Sequence, residues 1–277
     1  MKMNNFQAPI GVFDSGYGGL TILQKIKERL PQYDYLYLGD NARAPYGTRS
    51  FDVIYRFTLE AVKYLFARGC PLIIIACNTA SAKALRSIQQ NDLPDIAPDR
   101  RVLGIIRPTA EAVTQLSKSL HIGVLGTPGT IQSGSYDIEI SKQNPQCVTV
   151  GHGCPMWVPL IENGEGLRPG ADYFIKQEID ALTEADSAID TVILACTHYP
   201  LLLPKMRQYL PYGKQIICQG DIVADSLADY LRRHQEIDCR LSRGAETQYC
   251  TTENAGKFAA MASMFLNRPI TATTVTL

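Results

Sequence analysis

Two cysteines occupy matched positions in this sequence of 277 residues. Cys77 follows the apolar run Leu72–Ile75 in the segment ACNT, and Cys196 follows Thr191–Leu194 in the segment ACTH. A thiolate can remove a proton from carbon, and a thiol can return one. Two thiols at equivalent points of two similar units are what a reaction with one base on each face of a carbon would require.

The residues around each cysteine predict where it lies in the fold. Both apolar runs are too short to span a membrane and are typical of strands buried on both faces. After Cys77, the sequence predicts a helix that Asn78 or Thr79 caps. Ligands bind at this edge of open α/β sheets, and N–H groups at a helix start stabilise a thiolate.

A thiol has a reference pKa of about 8.5, so neither cysteine is ionised at neutral pH without help. Asp14 ends the first predicted strand beside Cys77, and His198 comes two residues after Cys196. Each thiol therefore has a candidate proton partner, although the sequence does not order their roles. We expect one cysteine to be a thiolate and the other a thiol, with the two states exchanged in each turnover.

The composition limits the class of protein. The chain is 45% hydrophobic and 19% charged with zero net charge, which predicts a globular fold without nucleic-acid binding. No apolar run approaches the roughly 18 residues of a membrane span. The N-terminal segment MKMNNFQAP shows no secretion signal. Eight irregularly spaced cysteines predict reduced thiols in the cytoplasm and no zinc site.

The sequence also repeats itself at long range. The strand that opens the chain, Ile10–Phe13, resembles Ile122–Leu125, and each precedes one of the cysteines at a similar separation. This duplication predicts two pseudo-symmetric, doubly wound α/β domains with the active site in the cleft between them. The expected limits are 1–103 plus 219–277 for the first domain and 104–218 for the second.

Several other segments allow two interpretations. The loop DSGYGGL at 14–20 is either an anion cradle or a tight strand-to-helix turn. The loop at 40–48 is either a surface turn or a site where Tyr46 offers its hydroxyl. Glu162 ends an apolar segment and is either an acid with a raised pKa or an exposed residue. A linker is predicted at 91–100, a single helix at 130–144, and nothing definite at 270–277.

Four motifs together resemble the glutamate racemase family: DSGYGG at 14–19, PYG at 45–47, ACNT at 76–79 and ACTHYP at 195–200. The resemblance covers nearly the whole chain in the right order. The cysteine motifs alone would indicate only the wider aspartate/glutamate racemase superfamily. The resemblance implies cofactor-independent interconversion of L- and D-glutamate, which supplies D-glutamate for peptidoglycan, and a homodimer, the common assembly in this family.

The resemblance also assigns roles to individual residues. It implies Cys77 and Cys196 as the two acid/base groups, assisted by Asp14, His198 and Glu162. The positions that it implies for substrate binding are Asp14, Ser15, Tyr46, Gly47, Asn78, Thr79, Thr197 and His198. Thr127, the repeat partner of Ser15, is a weaker candidate for stabilising the carbanion. No lysine lies in a motif that anchors pyridoxal phosphate, and no cofactor or metal is expected.

Three alternatives remain open at this point. A cysteine hydrolase would use the Cys196 and His198 pair and would not need Cys77. A racemase of aspartate or another acid would share the scaffold. A two-lobed binding protein would hold the amino acid without turning it over.

Overall fold

A computed structural model describes residues 7–277 of the chain. The predicted lack of a secretion signal falls largely on residues 1–6, which lie outside the described residues. The strands within this range are β1 (Ile10–Asp14), β2 (Tyr35–Gly39), β3 (Leu72–Ile75), β4 (Arg101–Gly104), β5 (His121–Gly126), β6 (Val148–Gly153), β7 (Thr191–Ala195), β8 (Gln215–Ile217), β9 (Thr247–Thr251) and β10 (Thr273–Thr274).

Helices connect these strands. They are α1 (Gly19–Arg29), α2 (Phe51–Ala67), α3 (Asn78–Lys83), α4 (Leu85–Ser87), α5 (Leu93–Ile96), α6 (Ile106–Leu116), α7 (Pro128–Gln132), α8 (Ser135–Gln143), α9 (Trp157–Glu162), α10 (Asp172–Ala185), α11 (Leu203–Tyr209), α12 (Gln219–Arg233), α13 (Gln235–Asp238) and α14 (Ala255–Leu266). Single 3₁₀ turns lie at Asn41–Arg43, Pro169–Ala171 and Tyr199–Leu202, and a π-turn at Ile88–Asp92. Within residues 7–277, no helix has both the length and the apolar character needed to cross a membrane.

The strands form two parallel sheets, ordered β10-β9-β2-β1-β3-β4 and β6-β5-β7-β8. The block β2-β1-β3-β4 of the first sheet has the same order as the whole second sheet. The strand order reverses between β1 and β3 in the first sheet and between β5 and β7 in the second, and such a reversal is where open α/β sheets bind ligands. The predicted fold of two pseudo-symmetric, doubly wound α/β units is confirmed.

The domain limits remain a proposal. Strands of the first sheet come from both ends of the chain, before residue 105 and after residue 246, whereas those of the second lie between 121 and 217. This membership supports the limits of 1–103 plus 219–277 and 104–218 drawn from the sequence.

The strands that carry the cysteines are buried along their whole length. Every residue of β1, β3 and β7 is buried. Helices cover both faces of a parallel sheet, so these strands need apolar side chains on both sides, which the runs LIII and TVILA supply. The packing therefore fixes the carboxyl ends of these strands, and the residues that follow them are held on a rigid base.

The start of α3 differs from the prediction. Cys77 itself is the N-cap, and its sulfur accepts a hydrogen bond from the Ala80 N–H at 3.4 Å. Asn78 is already the first helical residue, so the expectation that Asn78 or Thr79 caps the helix is wrong. Because the extended backbone ends at Cys77, its sulfur occupies the position that a serine oxygen usually holds.

The predicted linker at 91–100 is also wrong in part. The π-turn Ile88–Asp92 and α5 fill its first half. Buried Ile88 anchors the π-turn, and the Gln89 side chain bonds the Val102 carbonyl at 2.7 Å. Pro94 lies in the first turn of α5, where a missing N–H costs nothing.

Two other segments depart from the expected pattern. The single helix predicted at 130–144 is two helices, because Gly134 between them adopts a left-handed conformation with φ of 64°. The C-terminal segment contributes β10, which pairs with β9 at the edge of the first sheet. Val275 and Leu277 pack against the core there.

Candidate active site

The carboxyl ends of β1, β3 and β7 supply most of the side chains predicted to act in catalysis. Asp14 is the last residue of β1, Cys77 lies two residues after β3, and Cys196 directly follows β7. His198 follows Cys196 in the turn, and Glu162 reaches the same place from the end of α9.

Cys77 is a buried thiol with two polar neighbours. Its sulfur lies 3.3 Å from the Ser15 hydroxyl and accepts the Ala80 N–H. Burial, and after it the negative charge of Asp14, raise the pKa of Cys77 to about 12, although the two hydrogen bonds act in the opposite direction. The helix N-terminus helps, as the sequence predicts, but burial outweighs it. Cys77 is therefore protonated at rest and needs a base in order to ionise.

Asp14 is that candidate base. Its side chain is buried, and Oδ2 accepts the Gly16 N–H at 2.9 Å. Burial raises the pKa of Asp14 above its usual value, while the positive charge of His198 lowers it. A carboxyl group whose proton affinity is raised by burial can exchange a proton with a neighbouring thiol more readily than an exposed one.

Cys196, His198 and Glu162 form a chain of contacts. The sulfur of Cys196 lies 3.9 Å from Nδ1 of His198, and Nε2 of His198 lies 3.0 Å from Oε1 of Glu162. Burial lowers the pKa of His198, but its contacts with Cys196 and Glu162 outweigh burial and raise this pKa to about 10. His198 is thus an imidazolium at neutral pH, and the partly exposed Glu162 is its ion-pair partner.

Replacing Glu162 with glutamine is expected to lower the pKa of His198, because glutamine keeps the shape but loses the charge. The His198 pKa of about 10 lies above its ordinary value of 6.5. The pairing therefore stabilises the fold fully below about pH 6.5, and this stabilisation disappears as the pH rises to about 10. The unfolding midpoint of Glu162→Gln should fall most at about pH 6 and approach that of the unmodified protein near pH 10.

An NMR titration of the His198 imidazole measures the pKa change directly. Glu165→Gln is the matched control, since Glu165 lies three residues further along and, among residues 7–277, its side chain pairs only with exposed Arg168 at 3.4 Å. An unchanged His198 titration in Glu162→Gln would contradict the pairing.

The glycines of the loop after β1 allow close contact with the second half. A side chain on Gly18 would lie 2.2 Å from Thr197 Oγ1 and 2.4 Å from His198 Nδ1. One on Gly19 would lie 2.5 Å from Cβ of Asp14. Neither glycine has a positive φ, so close approach and not turn geometry is what requires them. The loop touches the residues around both cysteines.

The two halves also meet through hydroxyl groups. The hydroxyl of Thr79 lies 3.0 Å from that of Thr127 and 3.2 Å from that of Thr130. On the other side, Thr21 donates to the Thr197 carbonyl at 3.0 Å. Thr130 and Thr21 were not predicted from the sequence, because each becomes a neighbour of the site only when the halves pack together.

In the loop at 40–48, the Tyr46 hydroxyl does not have the free position that substrate binding would need. Tyr46 is buried, and its hydroxyl donates to the carboxylate of Asp40 instead of facing a ligand. The Gly47 carbonyl accepts the Gly129 N–H at 2.8 Å, which joins this loop to α7. The loop therefore has an inner part, Tyr46 and Gly47, that meets the second half, while Ala42, Pro45 and Thr48 are exposed as in a surface turn.

Asn78 has buried partners that the sequence did not reveal. Its amide bonds to Gln219 and Tyr136, each at 2.6 Å. Gln219 opens α12 directly after the short strand β8 and Cys218, so the same strand-to-helix pattern that marked the two cysteines could have found it. Phe265, which packs edge-on against His198 with ring centroids 5.6 Å apart, carries no such signal.

A sequence profile of the Asp/Glu/Hydantoin racemase family matches residues 10–227 of the chain. The chain belongs to this racemase family. Among curated relatives, the glutamate racemase of Ruegeria sp. (strain TM1040) is 38% identical over 272 residues, which cover 95% of this chain and 98% of that protein.

Solved structures agree with this assignment. A glutamate racemase isoform from Bacillus anthracis superposes with a TM-score of 0.89 at 34% identity over 98% of both chains. The glutamate racemase from Francisella tularensis, in complex with D-glutamate, superposes with a TM-score of 0.86 at 30% identity over 98% of both chains. The resemblance read from the motifs is confirmed, and family membership favours an isomerase over a hydrolase or a binding protein.

Proposed function

We propose that this racemase interconverts L- and D-glutamate by passing the α-proton between Cys77 and Cys196, with no cofactor. One observation carries the proposal. The two thiols follow equivalent strands of two like sheets, each beside its own acid–base group, and a charge on Cys196 is close enough to raise the pKa of Cys77. Asp14 serves Cys77, and His198 with Glu162 serves Cys196.

Racemisation consists of two proton transfers, one on each face of the α-carbon. One cysteine, as a thiolate, takes the α-proton of one enantiomer and becomes a thiol, and the electron pair of the C–H bond remains on the carbon. The opposite cysteine, as a thiol, gives its proton to the other face and becomes a thiolate. The product is the mirror-image amino acid, and the two sulfurs have exchanged states. Asp14 and His198 then restore the starting protonation.

The carbanion between the two steps needs stabilisation. The N–H groups at the start of α3 and the hydroxyls nearby are fixed donors in a buried site, where such donors act most strongly. The imidazolium of His198 adds a positive charge. The residues proposed to bind substrate are Asp14, Ser15, Tyr46, Gly47, Asn78, Thr79, Thr197 and His198. Since the Tyr46 hydroxyl is bonded to Asp40, we assign binding there to the backbone of that loop.

The test is an optical assay with pure L-glutamate and pure D-glutamate in deuterated water, without added cofactor or metal. Both solutions should lose their rotation, and the α-carbon should acquire deuterium from the solvent. A strict need for pyridoxal phosphate or a metal ion would contradict the proposal. If the enzyme racemised aspartate but not glutamate, the two-cysteine mechanism would stand, and the substrate would be aspartate.

We also propose that the product supplies peptidoglycan synthesis and that the enzyme is a cytoplasmic homodimer. Complementation of a bacterial strain that requires D-glutamate tests the first point. Light scattering on the purified protein tests the second, with twice the chain mass of 30.6 kDa expected.

A further inference from the structure

A closed ring of hydrogen bonds includes Asn78, the residue that follows Cys77. Tyr136 donates to Oδ1 of Asn78 at 2.6 Å, and Nδ2 of Asn78 donates to Oε1 of Gln219 at 2.6 Å. Nε2 of Gln219 completes the ring by donating to the Tyr136 hydroxyl at 2.7 Å. All three side chains are buried, and they come from α3, α8 and α12, so the ring joins the two halves of the molecule.

Thr109 sets the direction of the ring. Its hydroxyl donates its only proton to the Ile105 carbonyl at 2.7 Å. Its oxygen can therefore only accept in its second contact, with the Gln219 amide at 2.9 Å. This requires the nitrogen of the Gln219 amide, and not its oxygen, to face Thr109.

The remaining orientations follow from counting donors. Nε2 of Gln219 has two hydrogens, of which one points to Tyr136. The other is shared by Thr109 and, at 3.4 Å, the Ile105 carbonyl, which can only accept. The Tyr136 hydroxyl accepts one of these and must give its own proton to Asn78. Burial raises the pKa of Tyr136, so the phenol keeps that proton at neutral pH. Asn78 is thus held with its oxygen toward Tyr136 and its nitrogen toward Gln219.

The orientation of the Asn78 amide leaves one of its two N–H groups available to a ligand. Nδ2 of Asn78 carries two hydrogens, and the ring uses one, so among residues 7–277 the other has no protein acceptor. Asn78 directly follows Cys77, so this donor belongs to the residue next to a proposed catalytic thiol. With the amide turned over, Asn78 would offer an oxygen there and repel a carboxylate.

We infer that Gln219 is a positioning residue for the reaction, which acts with Tyr136 and Thr109 to hold the second N–H of Asn78 toward a carboxylate of the substrate. This inference rests on the proposed function, because it requires an acidic amino acid in the site. Gln219 contacts no reacting atom and acts only through Asn78.

The test is Gln219→Met, which keeps the length of the side chain and removes its amide. The KM for both glutamate enantiomers should rise about tenfold or more, with a smaller change in kcat, since a hydrogen bond to a charged group is lost. In an Asn78→Ala background the same substitution should change KM less than about twofold. A merely structural role would instead lower the melting temperature in both backgrounds and leave KM unchanged, and that result would overturn the inference.

Gln215→Met is the matched control. Gln215 also uses its amide, on the Leu116 carbonyl at 3.0 Å and the Thr191 hydroxyl at 2.7 Å, but it contacts none of the site residues. Its KM should equal that of the unmodified enzyme. Tyr136→Phe provides a second route if Gln219→Met fails to fold, since it removes the hydroxyl that holds Oδ1 of Asn78 and leaves the other ring atoms in place. It should raise KM severalfold, and an unchanged KM would overturn the inference.

Calorimetric binding of D-glutamate separates this inference from the proposed function. If the unmodified enzyme binds D-glutamate without racemising it, the proposed function fails, and the Kd of Gln219→Met still tests the positioning role. An unchanged Kd and KM in that variant overturn the positioning role alone. Absence of any binding to the unmodified enzyme overturns both.

Discussion

Replacing either Cys77 or Cys196 with alanine is expected to abolish racemisation, with kcat/KM for both enantiomers reduced at least about 10³-fold. Each thiol serves one face of the α-carbon, so the loss of either one interrupts the reaction in both directions. Within residues 7–277, no other cysteine has a polar contact with Ser15 or His198, so none is placed to substitute.

Solvent exchange distinguishes loss of one base from loss of the site. In deuterated water, each alanine variant still has a base on one face, so it should exchange the α-proton of only one enantiomer, with retained configuration. The two variants should prefer opposite enantiomers. Cys239→Ala, which alters an exposed thiol, should behave like the unmodified enzyme. A Cys196→Ala variant that racemises at the normal rate would refute the two-base scheme.

Asp14→Asn is expected to lower kcat about 10²-fold. Two effects oppose each other in this variant. Removal of the negative charge eases ionisation of Cys77, whose pKa Asp14 helps to raise. Removal of the carboxylate also takes away the group that accepts the thiol proton, and general bases of this kind contribute roughly 10²–10⁴-fold. A pKa change of one unit alters the thiolate fraction only about tenfold, so the loss of the base dominates.

The isotope effect shows which cysteine Asp14 assists. The two enantiomers have equal free energy, so kcat/KM must fall equally in both directions whichever step is slowed. With substrate deuterated at the α-carbon, the primary isotope effect should grow for the enantiomer that Cys77 deprotonates and shrink for the other. His198→Asn should give the opposite preference. Equal isotope effects for both enantiomers in Asp14→Asn would contradict the assignment of Asp14 to Cys77.

The sequence by itself determined the strands, the two cysteines at their ends and the duplication that relates them. These features depend on short-range patterns. A short run of apolar, β-branched residues is typical of a strand in a parallel sheet that is covered on both faces. The residue after such a strand lies at the carboxyl edge of the sheet. The motifs around Cys77 and Cys196 were enough to indicate the racemase family.

Only the tertiary structure decided the chemistry of each group. Packing buries Cys77, which makes it a thiol despite the helix N-terminus beside it. The pairing of Glu162 with His198 joins residues 36 positions apart in the chain, and the ring around Asn78 joins residues from different halves of the fold. A pKa and an amide orientation depend on what surrounds a group in space, and a linear sequence does not contain those distances until the two halves have folded together.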